Sequence, residues 1–122
     1  MKKIAILGAN SQLGQTLKVL SKNEEHEFIF LSRKDLDITD KKALSEIFHQ
    51  LEVHYCINCA AYTDVEGAEK NAKEAFSINA EGVKNISETC QAYNIKLIHI
   101  STDYVFDGKQ DIPYLSTDAA NP

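Results

Sequence analysis

The sequence predicts a doubly wound α/β domain, a parallel sheet with helices on both faces. Three observations point there. Short continuous apolar runs alternate along the chain with segments whose apolar residues recur every three or four positions, the strand-helix alternation of a parallel sheet. The first run, Ile4 to Leu7, is uninterrupted, as in a strand covered on both faces. The first run also ends in a glycine-containing turn that opens directly into the first helical segment. At 122 residues the chain matches one domain, residues 1–122.

The elements follow in order. Ile4 to Leu7 is the first strand, and Leu13, Leu17 and Leu20 place one apolar stripe on a helix from about Gln12 to Lys22. Phe28 to Leu31 is the second strand. Leu36-Asp37-Ile38 reads as a short third one, after the polar stretch Ser32 to Asp35. Thr39 or Asp40 caps a helix whose inward positions are Ala43, Leu44, Ile47, Phe48 and Leu51. Val53 to Ala61 is a further buried strand. Ala72, Ala75, Phe76, Asn79, Val83, Ile86 and Cys90 mark one face of a long helix over 71–93, weakened by Gly82 by about 1 kcal/mol. Lys96 to Ile100 is the last strand. Crossovers between parallel strands are right-handed, and ligands of such sheets lie beyond the carboxyl ends of the strands. Chemistry is therefore expected after Leu7, Leu31, Cys59 and Ile100.

Composition narrows the function classes. Hydrophobic residues make up 43% and charged residues 25%, ordinary for a globular chain with a real core. Lys and Arg total 13 against 18 for Asp and Glu, a net charge of −5 without a basic cluster, so nucleic acid is not an expected partner. No apolar stretch reaches the about 18 residues of a membrane span, and the apolar start is broken by Gly8 and Asn10 before it makes a signal peptide. Three cysteines without a leader fit a reducing compartment, so the expected location is the cytoplasm.

Gly8-Ala9-Asn10-Ser11-Gln12-Leu13-Gly14 lies where a strand-to-helix turn aims backbone N–H groups and a helix N-terminus at a pyrophosphate. At the end of the second strand an acidic residue holds the ribose 2′-hydroxyl of NAD, whereas an arginine accommodates the 2′-phosphate of NADP. Here Ser32-Arg33 occupies that place, with Arg33 the only arginine of the chain. This favours NADPH, with NADH the alternative. Cys56 and Cys59 have the C-x-x-C spacing of redox and zinc sites, but they sit in an expected strand where residues three apart diverge, so they read as core cysteines and no metal ligand is assigned. The four histidines are scattered at expected surface or strand-end positions, Glu66, Glu69, Lys70, Lys73 and Glu74 belong to a solvated helix face, and Asn79 reads as a backbone-bonding side chain.

Ser101-Thr102-Asp103-Tyr104-Val105-Phe106-Asp107-Gly108, Asn58-Cys59-Ala60-Ala61-Tyr62-Thr63-Asp64-Val65-Glu66, Leu36-Asp37-Ile38-Thr39 and the glycine loop together closely resemble the dTDP-4-dehydrorhamnose reductase family of extended short-chain dehydrogenase/reductases. The resemblance runs through the whole chain. It implies an NAD(P)-binding Rossmann fold, incomplete here, and reduction of a dTDP-linked 4-keto-6-deoxysugar to dTDP-L-rhamnose for bacterial surface polysaccharide. It also implies roles. Gly8 and Gly14 shape the loop; Ser11, Gln12 and Leu13 touch the pyrophosphate, Ser11 standing where the superfamily's middle glycine usually does. Arg33 takes the 2′-phosphate, Asp37 and Ile38 border the adenine, and Ala60, Ala61 and Tyr62 line the ribose and nicotinamide side. Thr102 belongs to the catalytic set and Asp103 helps to hold the sugar.

The superfamily's proton donor is a tyrosine paired with a lysine four residues later. Four residues after Tyr55, Tyr62, Tyr93, Tyr104 and Tyr114 stand Cys59, Glu66, Leu97, Gly108 and Asp118, so the pair is not among these residues. The expectation is an inactive fragment that stops before its later strands and substrate-binding part, where some relatives also bind Mg²⁺. A homodimer is compatible with the resemblance. Two alternatives stand beside it: a non-catalytic NADP-binding subunit such as the regulatory subunit of methionine adenosyltransferase, and a related nucleotide-sugar epimerase or dehydratase, which the S-T-D-Y-V-F-D-G segment disfavours.

Overall fold

The computed structural model describes residues 1–122 apart from Tyr62, Asp103 and the side chain of Val65. Its strands are β1 (Lys3–Leu7), β2 (Glu27–Leu31), β3 (Tyr55–Asn58) and β4 (Lys96–His99). They pair in parallel in the order β2-β1-β3-β4. The register aligns Leu7 with Leu31 on one side and Asn58 on the other, and Asn58 with His99. All carboxyl ends therefore finish on one edge. The chain leaves β1 outward to β2 and then returns across it to β3, so the direction of winding reverses between β1 and β3, where a crevice forms in folds of this kind.

The helices are α1 (Gln12–Leu20), α2 (Lys41–Leu51), α3 (Val65–Lys70), α4 (Ala72–Phe76) and α5 (Val83–Ala92), with a π-helical turn at Ser77–Gly82 joining the last two. Asp40 caps α2 by accepting from the Ala43 N–H at 3.1 Å. One face of the sheet supplies Ala5, Leu7 and Cys56 to a core closed by Leu44 and Phe48 of α2 and Ile86 and Cys90 of α5. Leu44, Phe48 and Ile86 are fully buried, each stabilising the fold by about 1.5–3 kcal/mol relative to an exposed side chain. α1 lies on the other face, where Lys18 reaches over the Phe30 ring.

Several expectations need correction. Leu36 to Ile38 is not a strand. The Leu36 N–H is taken by the Ser32 carbonyl and the Thr39 N–H by Asp37, so local turns use the donors that a sheet would need, while Leu36 and Ile38 plug the core. The strand expected over Val53 to Ala61 is shorter, Tyr55–Asn58, with His54 and Cys59 still bonded to the neighbouring backbone at its ends. Leu13 and Leu20 do not form a buried stripe on α1; they are exposed, and Gly14 is the buried residue of that helix. β4 is exposed at three of its four residues. The helix expected over 71–93 is present as α4, the π turn and α5, with the unexpected α3 before it ending at Asn71, but the π turn changes the spacing of its inward positions. Ala75, Gly82, Ile86 and Cys90 face inward, whereas Phe76 is 63% exposed and Ala72 and Asn79 are exposed. Gly82 is less a weak point than a fit, because a Cβ there would stand 2.7 Å from Ile38 Cδ1.

Candidate functional site

The loop after β1 is built from its glycines. Gly8 adopts φ +71°, and a Cβ on it would lie 2.5 Å from the Ala60 backbone nitrogen, so only glycine lets the β1 and β3 loops touch. A Cβ on Gly14 would meet the Gly8 carbonyl oxygen at 2.4 Å, which keeps α1 tight against the turn. The Ser11 N–H donates to the Gly8 carbonyl, and Ser11 Oγ accepts from the Gly14 N–H at 3.0 Å as the α1 cap. The Ser11 hydroxyl hydrogen is left to donate outward, and the Gln12 and Leu13 amides belong to the first turn, whose N–H groups have no partner within the helix. Ala9 N–H donates to Leu31 O and Cys59 N–H to Leu7 O, tying the loop to both neighbouring strands. This is an anion cradle, and a dinucleotide pyrophosphate fits its donors.

Around the end of β2, Arg33, Thr39, Lys70, Lys73, Glu74 and Ile78 line an open cleft of about 510 Å³. Arg33 Nη2 stands 3.9 Å from Glu74 Oε1, with the two side chains 74% and 47% exposed. Asp37 accepts from both the side chain and the N–H of Thr39, and these bonds, with help from the Arg33 charge, hold its carboxyl below the usual range. Ile38, expected beside an adenine, packs its side chain into the core against Gly82.

At the end of β3 the buried Asn58 holds the turn that follows. Its Oδ1 accepts from the Ala60 N–H at 3.0 Å, and its Nδ2 meets His99 Nδ1 at 3.2 Å across to β4. Ala60 is half-buried beside Gly8, and Ala61 is exposed. Thr102 follows β4 on the same edge, exposed, its Oγ1 accepting from the Tyr104 N–H at 3.0 Å and its O–H left to donate. Tyr62 and Asp103 lie outside the described residues.

The structure thus gathers the glycine loop, Arg33, Asp37, Ala60, Ala61 and Thr102 along one edge. Asn58 was absent from the expected site, although a lone polar residue in an apolar run marks it. Lys70 and Lys73 belong to the Arg33 cleft as well as to a solvated face, a juxtaposition made only by the chain's return from β3. The cysteines stay structural: a hydrogen bond with Cys90 and then burial keep the Cys56 thiol protonated, and burial raises Cys59. Among the described residues no helix is long and apolar enough to cross a membrane.

Comparison with known proteins agrees with this fold. A dTDP-4-dehydrorhamnose reductase of Mycobacterium tuberculosis is 40% identical over 99% of this chain, which spans 40% of that protein's length. The chain spans about two fifths of the length of the curated relatives it matches. A crystal structure of a dTDP-4-dehydrorhamnose reductase from Clostridium acetobutylicum superposes with a TM-score of 0.91 at 39% identity, covering 98% of this chain and 43% of that one. The Bacillus anthracis enzyme, solved in complex with NADP, gives 0.92 at 37% identity over 100% of this chain and 44% of its own. The family described as the RmlD substrate binding domain matches residues 1–122 throughout, and the chain belongs to that family.

Proposed function

We propose that residues 1–122 are the NADPH-binding part of a reductase that converts a dTDP-linked 4-keto-6-deoxysugar to dTDP-L-rhamnose, working in the cytoplasm where such activated sugars are made. The observation that carries this reading is the convergence of the anion cradle at Gly8 to Gly14 and the Thr102 hydroxyl on one edge of the sheet. The relatives' names and the NADP complex of the B. anthracis enzyme support it.

In this reading Ser11, Gln12 and Leu13 hold the pyrophosphate, Arg33 receives the 2′-phosphate, Asp37 and Ile38 border the adenine, and Ala60 and Ala61 present small side chains to the ribose and nicotinamide. Tyr62 and Asp103 keep their expected contacts to cofactor and sugar as part of the proposal. When bound, the dinucleotide supplies the hydride. Thr102 donates a hydrogen bond to the ketone oxygen, where negative charge develops as the carbonyl is reduced. Asn58 fixes the Ala60 turn from below. A general acid contributes about 10² to 10⁴ in rate, and these residues hold no Tyr-x-x-x-Lys pair to supply one. Residues 1–122 therefore bind cofactor without sustained turnover.

The test is NADPH oxidation with a dTDP-4-keto-6-deoxysugar, for residues 1–122 and for any longer product of the same reading frame. A product that includes the tyrosine-lysine pair turns over and loses most activity on Thr102→Val, whereas the 122 residues alone do not. Turnover by the 122 residues, or a Thr102→Val enzyme of full activity, overturns the assignment of roles.

A further inference from the structure

We propose that Glu74 sets the balance between phosphorylated and unphosphorylated dinucleotides by competing for Arg33, with Lys70 and Lys73 supplying the charge that lets a 2′-phosphate win. The proposal rests on reading the Arg33 cleft as the adenosine end of the dinucleotide site. The chemistry is in the lining. Among the described lining residues, Arg33, Lys70 and Lys73 bring three cations to a cleft of about 510 Å³, and Glu74 is the anion, 3.9 Å from the guanidinium. Asp37 is a second carboxylate within the field of Arg33, but Thr39 engages it through both side chain and backbone. Glu74 is thus the carboxylate paired with Arg33.

A phosphate monoester carries about −1.5 to −2 charges near neutral pH and bonds bidentately to a guanidinium. To reach Arg33 it must take the place of the Glu74 carboxylate. The Arg33–Glu74 pair is open to water and long, so it yields readily to a stronger anion. A ribose bearing a 2′-hydroxyl needs the reverse, an acceptor, and Glu74 is one. The same carboxylate therefore works against one cofactor and for the other. Lys70 ends α3 and Lys73 lies in α4, so the break at Asn71 turns both toward one cleft.

The experiment titrates the protein with NADPH and with NADH, following nicotinamide fluorescence, for wild type, Glu74→Gln and the Lys70→Gln/Lys73→Gln double variant. These side chains are exposed, so the substitutions leave the fold in place. Screened Coulomb repulsion between a carboxylate and a neighbouring phosphate corresponds to about a 3- to 5-fold effect on affinity. Glu74→Gln is expected to tighten NADPH binding by about that factor and not to tighten NADH. The double lysine variant is expected to weaken NADPH by about 3-fold or more and to leave NADH nearly unchanged. Wild type that binds both dinucleotides, with an NADPH-to-NADH affinity ratio that Glu74→Gln fails to raise, overturns the selectivity role and leaves the cofactor reading standing. Wild type that binds neither dinucleotide overturns the cofactor reading, and the selectivity role with it.

Discussion

Gly8 and Gly108 offer a controlled comparison within one chain. Both hold φ near +70°, +71° and +74°, where an L-residue is strained by about 1–2 kcal/mol. They differ in surroundings. A Cβ on Gly108 has nothing within 4 Å, whereas one on Gly8 meets Ala60 N at 2.5 Å, Cys59 C at 2.6 Å and Ala60 Cα at 2.7 Å. Those are backbone atoms of the turn that Asn58 pins, so the turn cannot swing aside as a flexible side chain would. Relief requires moving the β1 and β3 loops apart by close to an ångström, and forced overpacking of this kind costs about 1–3 kcal/mol beyond the strain. Gly108→Ala is therefore expected to lose about 1–2 kcal/mol, and Gly8→Ala about 2–5 kcal/mol. Urea unfolding followed by circular dichroism reads both. Equal losses in the two variants refute the claim that close approach of the loops, rather than backbone conformation alone, requires glycine at position 8. The same experiment run with NADPH present separates stability from function: the Gly8 variant loses the ligand-induced stabilisation that the Gly108 variant keeps, because only Gly8 shapes the cradle.

Two further outcomes are expected. Asn58→Leu keeps the volume but strands the Ala60 N–H beneath the loop, costing about 1–3 kcal/mol in urea unfolding; a loss below about 0.5 kcal/mol shows that the clamp is not structural. Asp37 has its carboxyl lowered in the folded state, so its stabilisation is complete above the ordinary carboxylate range near pH 4 and disappears as pH falls through the lowered value. Melting temperatures of wild type should then converge on, or fall below, those of Asp37→Asn as pH drops under about 4, and parallel curves refute the linkage.

How much of this was legible in the sequence depended on whether the controlling interaction was local. Asp40 as a cap, the inward row Leu44, Ile47, Phe48 of α2, and the glycine turn after β1 all depend on residues within a few positions of one another, and the structure holds them as expected. Leu36 to Ile38 misled because burial of two apolar residues looks the same whether the backbone pairs in a ladder or closes on itself. The decisive bonds, Ser32 to Leu36 and Asp37 to Thr39, are short-range but involve polar groups that apolar periodicity does not weigh. α3 has six residues and contains Gly67, too short a span for any helical period to show.

The long helix runs where expected, but part of its inward row fails for a different reason, and that bears on the site. A seven-position apolar row over 71–93 assumes constant spacing, but Gly82 packs on Ile38, and Ile38 sits where it does because the connection from β2 closes at Asp37 and Thr39. That contact joins segments more than forty residues apart, so no window along the sequence contains it. The π turn lies between the helix half that packs in the core, α5, and the half that lines the Arg33 cleft, α4. Ala75 keeps its inward place while Ala72 and Phe76 turn outward, and Lys73 and Glu74 line the cleft rather than a featureless wet face. The irregularity that defeated the periodic reading is thus part of what builds the charged wall of the candidate site. Replacing Gly82 with alanine should be felt in both places: a Cβ 2.7 Å from Ile38 Cδ1 pushes on the core, and any rotation of α4 that relieves it moves Glu74 relative to Arg33. The reasoning predicts that Gly82→Ala lowers stability by about 1–3 kcal/mol and also shifts the NADPH-to-NADH binding ratio. Loss of stability with an unchanged ratio would show that core and cleft are independent across the π turn.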